Sequence, residues 1–190
     1  MSDEQWQTPS LCAGWTVREV CAHLVPPSTG HSILRLVWDV ARFRGDLARM
    51  VDVTTRKQAR RPTAELVTDL RDNAAVELRA PVVGPYGPLT DTAIHLRDAA
   101  RPLGLDVSPA PVDWLPVLGF LVARSAERGF VGTGRTAGLR LVSTDSAWSW
   151  GTGELVRGTS EALAMGIAGR CVVYPELEGD GVSLLRGRDR

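Results

Sequence analysis

Lysine is almost missing from this chain. Lys57 stands alone among 22 basic residues, which balance 22 acidic ones to a formal net charge of zero. A neutral chain lacks the long-range positive field that recruits nucleic acid, which argues against that partner. Long apolar runs are missing too. The best, around 114–122, is interrupted by Pro116 and Gly119 and falls short of the roughly 18–20 residues that span a bilayer. The opening Met-Ser-Asp-Glu-Gln is polar and acidic, unlike a secretory leader. Cys12, Cys21 and Cys171 form an odd set with no CxxC spacing, which argues against a disulfide framework and suits a reducing compartment. Together these absences predict a cytoplasmic globular protein with neither a membrane nor a nucleic acid as partner. Aromatic residues make up only 6% of the chain, and the six tryptophans are spread over its whole length. That spread suits core positions better than an aromatic cage.

What is present is 190 residues, 44% of them hydrophobic, enough for one solid core or two small ones. The first 105 read as helical. Trp15-Thr-Val-Arg-Glu-Val20 is a helix start: Thr16 and Glu19 have capping-box spacing, and Trp15 can staple onto Val20. Pro26-Pro27 stop that helix. A second is predicted over 32–56, with Ile33, Leu36, Val37, Val40, Phe43, Leu47 and Met50 as its apolar stripe. A third opens near Pro62 and repeats Leu66, Leu70, Ala74 and Leu78. After a loop over 81–88, a fourth starts at Pro88 and ends before Pro102. Residues 106–135 read as a linker and a connecting helix over 114–128. From 136 to 190 the pattern changes to a small α+β lobe. Strands are predicted at 139–144, 148–150 and 171–174, with a helix over 160–168 stopped by Gly169. The fold class is α+β, a helical lobe over 1–105 followed by that smaller lobe.

Of the three histidines, His95 follows Asp91 by four residues, so the two side chains share one helix face and can chelate one divalent cation. His23, flanked by Ala22 and Leu24, points into a bundle. Alone it is a satisfied core histidine; beside Asp91 and His95 it completes a two-histidine, one-carboxylate set with an open position, which suits zinc, ferrous iron or nickel. His31 reads as a surface residue, with substitution for His23 as its alternative. Cys21 is two residues from His23, on another helix face, and reads as a buried thiol.

These residues carry a resemblance. Leu11-Cys-Ala-Gly-Trp-Thr-Val-Arg-Glu-Val-Cys-Ala-His-Leu24 resembles the segment around the first metal histidine of mycothiol-dependent maleylpyruvate isomerases, which belong to the DinB/YfiT-like metal-binding superfamily. Asp91-Thr-Ala-Ile-His-Leu-Arg-Asp98 resembles their second motif, and Gly138 to Asp145 with Trp148 to Gly153 their small, sterol-carrier-like carboxy-terminal domain. The resemblance implies a DinB-like four-helix metal-binding domain over 1–105, a linker and connecting helix over 106–135, and a carboxy-terminal domain over 136–190. It implies His23, Asp91 and His95 as ligands of a divalent metal, zinc in the first instance. Characterised isomerases carry glutamate where this chain has Asp91, one methylene shorter. Their bundle also opens with a helix before the Trp-Thr motif, and here fifteen residues precede Thr16. Either the chain start is misassigned or the bundle lacks its first helix, whose bare apolar face a homodimer would cover.

The activity so implied uses a metal-activated thiol, mycothiol. Its thiolate adds to a conjugated double bond and leaves after rotation, or stays attached as thiol transfer to a small electrophile. Asp98 is a candidate acceptor for the second ring nitrogen of His95, with an exposed pair to Arg101 as the alternative. A dicarboxylate substrate needs a cation; Arg97, Arg101, Arg135, Arg140 and Arg157 are candidates, Arg140 first. The rival reading is a non-catalytic metal-binding or regulatory helical module derived from the same family. A third is a purely structural or interaction protein.

Overall fold

A computed structural model describes residues 1–26, 38, 42–76 and 83–189. They group into two compact units, Met1–Val76 with Asp98–Leu105, and Glu77–Arg97 with Asp106–Arg190. Residues 77–97, which the sequence division keeps in the first lobe, group with the second unit.

In the first unit, α1 (Asp3–Trp6) is a single turn capped by Ser2, whose hydroxyl accepts from the Gln5 amide at 3.2 Å. Helix α2 (Val17–Leu24) starts where its capping box predicts: the Glu19 carboxylate accepts from the Thr16 amide at 2.9 Å and from its hydroxyl. The predicted helix over 32–56 is corrected in its described part. Arg44 and Gly45 both have left-handed φ, 54° and 81°, which no α-helix passes through. The chain restarts as α3 (Leu47–Gln58) with Asp46 as its cap, accepting from the Arg49 amide at 2.9 Å. Residues 32–37 and 39–41 of that prediction lie outside the described residues. Helix α4 (Thr63–Asp72) follows Pro62. Ala74 falls in the turn beyond it, and Leu78 lies outside the described residues. Helices α2, α3 and α4 close around Ala22, Val25, Ala59 and Leu66. The Arg18 guanidinium donates to the carbonyls of Ala59 and Arg61, at 2.6 and 2.7 Å, satisfying acceptors that α3 leaves open at its end.

Helix α5 (Tyr86–Ala100) begins two residues before the predicted Pro88. Proline fits there because the first turn needs no intrahelical donor. In the second unit, α6 (Trp114–Leu121) is shorter than the predicted 114–128; the chain leaves it and resumes as a 3-10 turn at Ala126–Arg128. The sheet has the order β2-β1-β3, with β1 (Leu139–Ser143) central, β2 (Ser149–Trp150) antiparallel to it and β3 (Glu154–Gly158) parallel. Strand β2 reaches β3 by crossing the start of β1. Gly151 and Gly153 make that crossing, with φ of 77° and 133°, and a Cβ on either would stand 2.3 or 2.1 Å from the carbonyl oxygens of Leu139 and Gly138. The strand predicted at 171–174 is instead a 3-10 turn, Cys171–Glu176, and the third strand is β3. Helix α7 (Ser160–Ile167) is buried on every side and packs on α6; α8 (Gly181–Arg186) follows. Buried Arg135 ties these parts, donating to the carbonyls of Gly166, Ile167 and Leu185 and to Asp189 at 2.7–3.1 Å.

No helix among the described residues is long and apolar enough to cross a membrane. The described architecture is helical with one small sheet, an α+β fold.

Candidate metal centre

Helix α5 sets Asp91 and His95 one turn apart on a single face, and His95 Nε2 lies 3.5 Å from an Asp91 carboxylate oxygen. A direct N–H···O hydrogen bond spans about 2.7–3.2 Å. Two donors bound tetrahedrally to one zinc ion, through bonds of about 2.0–2.2 Å, stand about 3.4 Å apart. The observed separation is that of an i, i+4 ion pair and is also compatible with a chelate. His95 is buried and Asp91 half-buried, so water competes weakly for a cation between them.

A cavity of about 120 Å³ adjoins the pair. Ile94, Leu121 and Phe130 form its apolar wall, and Phe130 is held edge-on by Phe120 at a ring separation of 5.0 Å. Thr90 and Arg170 supply polar lining besides the pair. Arg170 owes its place to the end of α7. Gly169 has φ +83°, its amide donates to the Gly166 carbonyl at 3.1 Å, and the Arg170 amide donates to the Met165 carbonyl at 2.9 Å. This Schellman ending turns the chain once and fixes the next residue. The guanidinium then donates to the Ala168 carbonyl at 2.7 Å.

His23 sits on α2 in the first unit, half-buried. Its ring lies 5.2 Å from that of Trp15, which is itself held by a 2.8 Å bond from its indole N–H to Asp52. His23 Nδ1 is 3.4 Å from the Thr55 hydroxyl, which makes Nε2 the ring nitrogen suited to a metal. His31 lies outside the described residues.

Asp98 is fully buried, which excludes an exposed pair with Arg101. Arg97 is paired with Glu161, Arg135 is sunk among carbonyls, and Arg157 meets Glu178 at the surface. Arg140 faces outward on β1, and none of the five arginines proposed from sequence lines the cavity. Arg170 and Thr90, which do, belong to no motif in the sequence. Gly169 marks a helix stop there, and the aim of the residue after it shows only in the structure. Burial pushes the Cys21 thiol up to about 11, so it is protonated at neutral pH and inert as a nucleophile.

Residues 1–85 match the family model of the mycothiol maleylpyruvate isomerase N-terminal domain. The match covers 85 of the 190 residues. Within the mycothiol maleylpyruvate isomerase match lie α1 to α4, the capping box at Thr16 and the candidate ligand His23; the match ends before Asp91 and His95. No curated protein and no solved structure matches the chain.

Proposed function

We propose that this protein is a metal- and thiol-dependent enzyme of the maleylpyruvate isomerase type. His23, Asp91 and His95 are assigned as ligands of one divalent cation, zinc in the first instance, and mycothiol as the thiol. The observation that carries the reading is the 3.5 Å spacing of Asp91 and His95 in a buried setting. The family match over residues 1–85 supports His23 as the third ligand. A cation in that set supplies one kind of chemistry, depression of the pKa of a thiol bound to it, as needed for cis–trans isomerisation or thiol transfer.

The chain's own residues do the rest. Two neutral imidazoles and one carboxylate offset a single positive charge and leave a fourth position open, as in catalytic zinc sites. Asp91 reaches one methylene less far than glutamate, and the i, i+4 geometry on α5 compensates by bringing its oxygen to chelating distance of His95. Ile94, Leu121 and Phe130 line one wall of the cavity. Arg170, rather than Arg140, faces it and serves as the cation for a substrate carboxylate.

Metal analysis of the purified protein tests this. About one zinc per chain is expected, and His95→Ala should abolish it; full metal content in that variant rejects the assignment. One observation favours the rival reading of a metal-binding module without turnover. The cavity's 120 Å³ is small beside the roughly 300 Å³ at which ligand clefts begin. Bound metal with no thiol consumption across a panel of electrophiles would decide for the module.

A further inference from the structure

We propose that Thr90 is a ligand-contacting residue of the cavity beside Asp91 and His95, its hydroxyl bonding an oxygen of a small carboxylic acid. The inference rests on that cavity being the ligand site for a carboxylate, as proposed above, and adds a contacting residue to it.

Thr90 is fully buried on α5, and its hydroxyl oxygen is buried without a hydrogen-bond partner. A helical threonine ordinarily discharges its hydroxyl onto the carbonyl one turn back. Thr54 on α3 does so, donating to Met50 at 2.8 Å. Thr90 does not. A buried hydroxyl left unbonded costs free energy, and valine would fill the same volume without that cost. Packing alone therefore gives no reason for the oxygen. Thr90 also lines the cavity that Asp91, His95 and Arg170 line. Threonine has two accessible χ1 rotamers in a helix, which exchange hydroxyl for methyl, so the hydroxyl can be presented when something in the cavity bonds it.

The partner's chemistry follows from the lining. A hydroxyl and a guanidinium are both donors, and one anionic oxygen group accepts from both. The apolar wall suits the carbon skeleton attached to it. A volume of about 120 Å³ corresponds to about four waters' share of the liquid, room for an acid of roughly four carbons.

The test compares the full chain with Thr90→Val and Thr90→Ser, using maleate as the probe, with and without zinc. Thermal unfolding without ligand should show Thr90→Val at least as stable as the parent, since an unbonded hydroxyl has been removed. Its affinity for maleate should fall about tenfold, the loss expected for one hydrogen bond to a charged group. Thr90→Ser should stay within about twofold of the parent. Lower unfolding temperature for Thr90→Val without ligand overturns the proposal, because the hydroxyl would then be bonded within the protein. Unchanged maleate affinity in that variant, or no binding by the parent, overturns it equally. Failure of zinc uptake by the parent strikes the metal centre alone; the zinc-free maleate comparison still decides on Thr90.

Discussion

Replacing Glu161 with glutamine tests what holds α5 against α7 within the second unit. Arg97 Nε lies 2.9 Å from one Glu161 oxygen, and the two side chains are 10% and 11% exposed. The other oxygen accepts from the Ser108 hydroxyl. Arg97 Nη1 is buried with no further partner, so the carboxylate is the main compensation for a guanidinium out of water. Breaking a buried pair from one side typically costs about 3–5 kcal/mol. Glutamine keeps an acceptor for Nε but removes the charge, which places Glu161→Gln near the lower end, about 3 kcal/mol. For a chain of this length that is a drop of roughly 6–12 °C in Tm. Removing both charges together, as Arg97→Met with Glu161→Leu, should recover most of the loss, because the desolvation penalty goes with the pair. Glu178→Gln, at the exposed 3.4 Å contact with Arg157, is the control and should change nothing measurable. Urea and thermal unfolding at pH 7 read all four proteins. A cost below about 1 kcal/mol for Glu161→Gln would refute the reasoning, since only a solvated pair is that cheap to break.

Two further outcomes are expected. Leu66→Ala should cost about 3 kcal/mol in urea unfolding, because fully buried Leu66 packs on Ala22, Val25 and Ala59, whose short side chains cannot close the hole; a loss under about 1 kcal/mol would show that this core relaxes. Burial, with the bond its hydroxyl donates to Asp189, pushes Tyr174 up to about 12. The folded state thus holds its proton more tightly than the unfolded chain, where the value is about 10. That contribution is fully present below pH 10 and lost as pH rises to 12, so Tyr174→Phe should flatten the fall of Tm with pH in that window; an unchanged slope contradicts the assignment.

Elements whose signal is local were legible from sequence. The Thr16/Glu19 box sets the start of α2 with its own side chains, and Leu139-Arg-Leu-Val-Ser143 alternates because every second residue of β1 faces inward. Strand β3 escaped notice because its inward positions are Val156 and Gly158, while Leu155 faces out. The inward position 158 is glycine because a Cβ there would stand 2.5 Å from Leu177, a tertiary fact with no local trace. Cys171-Val-Val-Tyr174 has strand-forming side chains, yet it finds no ladder partner and coils into a 3-10 turn that runs on through Pro175. The candidate centre divides in the same way. The i, i+4 spacing of Asp91 and His95 is visible in sequence, whereas the aim of Arg170 depends on a turn, and the unbonded state of Thr90 on its neighbours.

Helix α5 is the element in which this difference is concentrated. Nine polar or charged side chains are buried among the described residues, and four of them, Thr90, His95, Arg97 and Asp98, lie on it. The same helix exposes Leu89 at 44% and Leu96 at 37%, each directly before a polar residue that it buries. A helix retained only for packing would have the reverse arrangement, since each buried polar group must be compensated and each exposed leucine forgoes burial. Compensation is incomplete, for Thr90 Oγ1 and Arg97 Nη1 have no partner. Local violations of the burial rule mark functional elements when they gather on one segment. Gathered on one helix, they set α5 apart from a helix kept for packing, as the proposed metal centre on Asp91 and His95 requires.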